Sequence, residues 1–285
     1  MWDSFDFRLI LNGTPVSKNL VDLYSQMRFV HPKIFDMTER DFAEKYLFFK
    51  DDGSIRPWHK WSRPANEAAL VEIIRPYIFD ADLDIPVSMY TDDKHYGLNE
   101  HEAEEYEEIK SEFLSLEYDD INFLALSQKL QANYSKADSK LKGVQEIISS
   151  NNSQFIIYTK FIDNLETLKH LFPHALEYSG RHKDDITQFT SGSSRLLIMT
   201  YGTGTMGLNL QNCNYIIFFD QTFDQKDKLQ AVHRVYRTGQ TKNVIVYDMW
   251  VDTGLERIIK RSTQKKQATI NNIKNFIQAV GVKAL

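Results

Sequence analysis

The sequence is poor in cysteine: Cys213 is the only one in 285 residues. A lone thiol excludes an internal disulfide framework and any cysteine-based zinc site, and the eight histidines show no paired ligand spacing, so no bound metal is expected within the chain. Long apolar runs are also missing. Nothing approaches the roughly 18 residues needed to cross a bilayer, and Met1-Trp2-Asp3-Ser4 lacks the basic and then apolar start of a leader. These absences predict a soluble, cytoplasmic chain with no membrane partner. No internal repeat or low-complexity run occurs, and no glycine is followed by lysine and then serine or threonine, which rules out a phosphate-binding loop of the G-x-x-x-x-G-K-[ST] kind.

What remains is ordinary globular composition, 42% hydrophobic and 26% charged, enough for one large domain or two small ones. The net charge of −5 is unevenly spread. Glu102, Glu104, Glu105, Glu107, Glu108, Glu112 and Glu117 crowd around Lys110, the pattern of a solvated helix face. From Lys226 onward the balance reverses, and a polyanionic partner would favour that end.

Along the chain, Phe7 to Leu11 reads as a strand stopped by Gly13 and Pro15. Leu20, Leu23, Tyr24, Met27 and Val30 recur at helical spacing, with Ser17 or Asn19 as the expected N-cap. From about His31 to Tyr134 the pattern is mostly helical, with helices expected over Arg40 to Phe48, Asn66 to Phe79, Asn99 to Ser115 and Ile121 to Tyr134. After Ser135 short apolar runs alternate with helical stretches, the sign of βαβ units and a parallel sheet. Strands are expected at Phe155 to Thr159, Ala175 to Tyr178, Arg195 to Thr200, Tyr215 to Phe219 and Val244 to Trp250. Helices are expected at Ile162 to Phe172, Lys183 to Phe189, Asp224 to Arg237 and Leu255 to about Val280. In such sheets ligands gather at the carboxyl ends of the strands.

Three segments carry chemistry. Between Gln230 and Gln240, helical periodicity puts Gln230, Arg234 and Arg237 on one face and Leu229, Val232 and Tyr236 on the other. Two guanidiniums three residues apart suit phosphate oxygens, as in arginine fingers, but an amphipathic helix with a solvated basic face has the same pattern. The run Tyr201-Gly202-Thr203-Gly204-Thr205-Met206-Gly207 fits G-x-G-x-x-G, yet the next strand begins near Tyr215 and leaves no room for the helix that a dinucleotide fingerprint requires. It is either a glycine-threonine loop with N–H and hydroxyl groups for phosphates or a plain tight connection. Ile216 to Asp220 ends an apolar strand on an acid, but without a phosphate-binding loop Asp220 is expected to be structural.

Taken in order, these segments resemble the second lobe of superfamily-2 helicases, and the Swi/Snf-type DNA translocases most closely. Phe155 to Phe161 is similar to motif IV, Tyr178 to Arg181 to the DNA-contacting element after it, Thr203 to Leu210 to motif V, Gln230 to Gln240 to motif VI, and Leu11 to Ser25 to motif III and its following helix. The resemblance implies an α/β fold: a RecA-like parallel sheet flanked by helices over 136–285, preceded by a helical insert over 31–135 and by an edge of a first RecA-like lobe over 1–30. It implies that Arg234 and Arg237 act on ATP as catalytic residues, with Gln230, Gly207 and Asn209 also at the nucleotide. It implies nucleic-acid contacts from Thr159, Lys160, Ser179, Gly180, Arg181, Thr200, Gly202, Thr203, Gly204 and Thr205, and coupling of hydrolysis to lobe movement through Gly13, Thr14 and Pro15. Duplex DNA, from His233-Arg-Val-Tyr-Arg237, is the substrate that the resemblance implies. Motif V departs from the pattern, with Thr203-Gly204-Thr205 where Ala-Gly-Gly is common. Mg2+ and most of the ATP contacts would come from an N-terminal helicase lobe in cis or in trans; the contrasting expectation is a non-catalytic, nucleic-acid-binding remnant.

Overall fold

The computed structural model describes residues 7–11, 20–48, 61–62, 64–78, 85–114, 120–203, 207–223 and 225–264. Gly13, Thr14, Pro15, Gly204, Thr205, the expected N-cap at Ser17 or Asn19 and the expected helix beyond residue 264 lie outside them. The chain divides into two compact units, the second of which begins at Leu83.

In the first unit, α1 (Val21–Val30), α2 (Glu39–Tyr46) and α3 (Pro64–Ile74) enclose a small core. Leu23, Tyr24 and Met27 of α1 meet Phe35, Phe42 and Tyr46 and the Leu70, Val71 and Ile74 stripe of α3, all buried. Each such side chain contributes about 1.5–3 kcal/mol on leaving water. Thr38 and Asp41 form a reciprocal capping box that starts α2. A two-strand ribbon joins β1 (Leu47–Phe48) to β2 (Trp61–Ser62), antiparallel. Phe7 to Leu11 forms no strand: among the described residues it has no ladder partner, and Phe7, Leu9 and Leu11 stand 93%, 78% and 89% exposed. Alternation marks a strand only when a neighbouring strand supplies the hydrogen bonds.

The second unit holds a six-stranded, wholly parallel sheet in the order β3-β8-β7-β4-β6-β5. Its strands are β3 (Met89–Tyr96), β4 (Phe155–Thr159), β5 (Leu176–Tyr178), β6 (Leu196–Thr200), β7 (Tyr215–Phe218) and β8 (Val244–Val251). Helices α4 (Glu100–Leu114), α5 (Asp120–Tyr134), α6 (Asp138–Ser149), α7 (Ile162–Leu171), α8 (Thr187–Thr190) and α9 (Gln225–Val235) connect them, and α10 follows β8 over 254–264. Period-two alternation assigns the faces. Ile156, Tyr158, Leu197, Met199, Ile216 and Phe218 pack under Phe189 of α8 and Ala231, Val232 and Val235 of α9. Phe155, Ile157, Ile198 and Ile217 pack under Val144 and Ile148 of α6 and Leu165 and Leu168 of α7. Covered on both sides, β4 is buried at all five positions.

Several elements depart from the expected pattern: the helix expected over Arg40 to Phe48 gives way to β1 at Leu47, and the one expected over Lys183 to Phe189 is only the short α8, with Lys183 bridging Tyr178 instead. β3 lies in the stretch expected to be helical, and it makes the sheet-bearing unit begin well upstream of residue 136. Its sequence, Met-Tyr-Thr-Asp-Asp-Lys-His-Tyr, is that of a wet edge strand. α6 also went unanticipated, although Leu141, Val144, Ile147 and Ile148 have helical spacing. Gly143 within it lets Tyr96 approach: a Cβ there would lie 2.3 Å from the tyrosine ring.

Candidate functional site

β4 and β7 are neighbours whose chains leave in opposite directions, toward β5 and toward β8. That divergence lies at their carboxyl ends, the place where parallel sheets take ligands. Asp220, two residues past β7 and 1% exposed, anchors it. Its carboxylate accepts the Thr159 hydroxyl, the Lys160 N–H at 2.8 Å and Asn164 Nδ2 at 2.8 Å. The fully buried Lys140 ammonium lies 3.9 Å from Asp220 Oδ1 and 4.2 Å from the Phe219 ring centroid. Burial lowers the Lys140 pKa against the pull of Asp220 and Glu256. Glu256, at the start of α10, accepts the Val251 N–H, and burial pushes its carboxyl up to about 7. So many donors on one carboxylate explain Asp220 as the pin that fixes where β4 ends.

Thr159 is therefore buried with its hydroxyl committed to Asp220, and that hydroxyl cannot also meet a bound phosphate in this arrangement. Lys160 is half-buried; its Nζ donates to Gln131 Oε1 at 2.7 Å and lies 5.1 Å from the Phe161 ring centroid. Burial lowers its pKa. Ser179 is buried as well. Its hydroxyl donates to Glu177 Oε1 at 2.7 Å and accepts the N–H of His182 at 3.1 Å, shaping the turn on which Gly180 and Arg181 stand exposed. Arg181 is paired, with Nη1 at 2.6 Å from Glu166 and Nε at 3.6 Å from Glu177.

The loop after β6 begins with a single 3-10 turn, Tyr201–Thr203. Thr203 is buried and donates to the Thr200 and Tyr178 carbonyls, while Gly202 is exposed. Thr200 Oγ1 lies 3.2 Å from Thr203 Oγ1. Gly207 has φ +56, a backbone that glycine adopts without strain. Beyond it Leu210 donates its N–H to the Arg234 carbonyl at 3.0 Å, tying this loop to α9.

The helix expected to carry both arginines stops at Val235, so Arg234 occupies its last turn and Arg237 lies beyond it. Gln240 is the reason: its buried Nε2 donates to the Val235 carbonyl at 3.2 Å and the Cys213 carbonyl at 2.9 Å, capping the helix end. Released from the helix, Arg237 donates through Nη1 to Asn209 Oδ1. Gln230 is half-buried in mid-helix. The fold thus brings Asn209 and Arg237 together from two segments and ties Leu210 to the Arg234 backbone. The sequence reading missed Gln131, Lys140 and Glu256, whose partners lie on other elements and leave no local spacing to read. No group of metal-binding side chains occurs among the described residues, and no helix there is long and apolar enough to cross a membrane.

Residues 139–239 match the helicase conserved C-terminal domain. An uncharacterized ATP-dependent helicase of Mycoplasma genitalium is 26% identical over 290 residues, which cover 93% of this chain and 28% of that protein. The ATP-dependent DNA helicase DDM1 of Arabidopsis thaliana is 23% identical over 319 residues, covering 91% of this chain and 41% of the relative. The chain thus spans well under half the length of either. Among solved structures, the Sulfolobus solfataricus SWI2/SNF2 ATPase core is similar in fold at 21% identity: TM-score 0.53 alone, over 87% of this chain and 56% of that one, and 0.50 in complex with double-stranded DNA, over 88% and 62%. The six-stranded parallel sheet flanked by helices is the RecA-like fold of a helicase C-terminal lobe.

Proposed function

We propose that this chain, a counterpart of the C-terminal part of superfamily-2, Swi/Snf-type helicases, is the arginine-bearing lobe of an ATP-dependent DNA translocase. Arg234 and Arg237 stabilise the transferring γ-phosphoryl group, and Asn209 orients Arg237. Gln230 and Gly207 flank the nucleotide, while Lys160, Gly180, Arg181, Thr200, Gly202, Gly204 and Thr205 face the DNA backbone. Gly13, Thr14 and Pro15 couple hydrolysis to movement.

The observation that carries the reading is the meeting of Asn209 with Arg237, which joins the segment leading into β7 to the end of α9 at the amino edge of the sheet, where Tyr236 also reaches the Val87 carbonyl and Gln240 the Cys213 carbonyl. ATP and Mg2+ are held mainly by an N-terminal lobe acting in cis or in trans, because the 285 residues contain no phosphate-binding loop. Duplex DNA as the partner is supported by the Sulfolobus core solved with double-stranded DNA and by the Arabidopsis DNA helicase. The test is to assay ATP turnover with duplex DNA for the chain alone and with an N-terminal lobe carrying the phosphate-binding loop. Turnover only in the combination supports the reading. Turnover by the chain alone, or none in the combination, overturns it, and the second result leaves a non-catalytic nucleic-acid-binding module.

A further inference from the structure

The cations near the carboxyl edge of the sheet differ in how they are held. Arg181 pairs with Glu166 and Glu177, Lys140 with Asp220, and Lys228 with Asp248. Lys160 is the exception: among the described residues no carboxylate lies within 4.0 Å of its ammonium, and its bond goes instead to a neutral amide, Gln131 Oε1, at 2.7 Å. Gln131 is 2% exposed and is itself fixed, since its Nε2 donates to the Gln221 carbonyl at 2.8 Å. One amide from α5 thus spans the β4/β7 divergence, grasping the loop after β7 with one end and the lysine after β4 with the other. The Lys160 backbone is pinned separately, by Asp220.

An amide used in this way fixes the direction of an ammonium without cancelling its charge, whereas a carboxylate in the same place would do both. A half-buried cation loses hydration, and with Asp220 pulling on it only from beyond ion-pair distance, an external anion is left to complete it. We propose that Gln131 is a positioning residue that holds the Lys160 ammonium, charge intact, for one phosphate of a bound nucleic-acid backbone. The inference rests on the proposed DNA-binding function and adds a residue from α5, outside the stretches that the sequence comparison of motifs singles out.

The test uses the whole chain and a labelled DNA duplex, with affinity measured by anisotropy from about 50 to 200 mM salt. Each phosphate contact contributes about 0.9 to the slope of log affinity against log salt. Lys160→Met is expected to lower the slope by about that amount. Gln131→Glu, which cancels the same charge without removing it, is expected to do likewise, and the double variant to lose no more than either. Gln131→Met, uncharged and close in volume, keeps the fold testable: it is expected to weaken binding with the slope near that of the wild type, since the charge stays but loses its seat. A wild-type slope in Gln131→Glu together with unchanged affinity in Gln131→Met overturns the positioning role. A wild-type slope in Lys160→Met overturns the contact itself. Absence of duplex binding by the wild-type chain overturns the proposed function along with the inference.

Discussion

Arg237 donates a guanidinium hydrogen bond to Asn209 Oδ1 across 28 residues of sequence, from just past the end of one helix to the loop that follows β6. The bond gives the guanidinium a fixed origin without neutralising it, since the acceptor is an amide. In a phosphoryl-transfer site such preorganisation acts on the transition state more than on nucleotide binding.

Arg237→Ala is therefore expected to lower kcat for DNA-stimulated ATP hydrolysis by on the order of 10³ in the two-lobe assembly. Asn209→Ala should give a smaller loss in the same parameter, with duplex affinity unchanged in both. Steady-state kinetics would settle it: a drop confined to KM contradicts the assigned role.

Asp220 and Lys140 test the anchor beneath the site. Asp220→Ala strands a fully buried ammonium and frees three donors, so a loss of about 3–5 kcal/mol is expected. Lys140→Met leaves Asp220 with its hydrogen bonds from Thr159, Lys160 and Asn164 and should cost clearly less. Urea unfolding of the two variants should rank them in that order; the reverse ranking would contradict Asp220 as the hub.

Glu256 gives the second unit a pH dependence. Burial raises its carboxyl to about 7, against the pull of Lys140 and the Val251 N–H and with the repulsion of Asp220 and Asp252. Because the folded pKa lies above the unfolded one, the folded state binds the proton more tightly. Its contribution is complete below the unfolded carboxyl range and is lost as pH rises through about 7. The span is on the order of 3 kcal/mol. Urea midpoints should fall between pH 5 and pH 8, and Glu256→Gln should flatten that fall; a variant that tracks the wild type removes Glu256 as the cause.

Cys213 is 1% exposed and its thiol is pushed up to about 12 by burial. It should resist an aromatic disulfide reagent in the native chain and react at once in denaturant. Rapid native labelling would show that the cluster under α9 opens readily.

Most of the sheet was legible because each inner strand is a short apolar run bounded by helical periodicity, as in Phe155 to Thr159 and Tyr215 to Phe218. β3 was not: with one edge against β8 and charges at Asp92, Asp93 and Lys94, it carries no apolar signature. The end of α9 was misplaced by two residues because the signal sits downstream, in the side chain of Gln240. The arginines, Asn209 and Lys160 were visible as motif residues. Their partners were not, since Gln131 and Asp220 lie 29 and 60 residues away from Lys160.

The pairing of Met89 to Tyr96 with Val244 to Val251 bolts the first and last strands of the second unit to each other, with Ser88 and Asn243 meeting across 155 residues. On the ribosome, β3 waits unpaired, and β7 paired only to β4, for β8 to enter between them, so the nascent lobe passes through a long interval with a bare flank. Trimming the chain to the matched span of 139–239 would make that interval permanent, removing β3 and β8 together and leaving β7 bare.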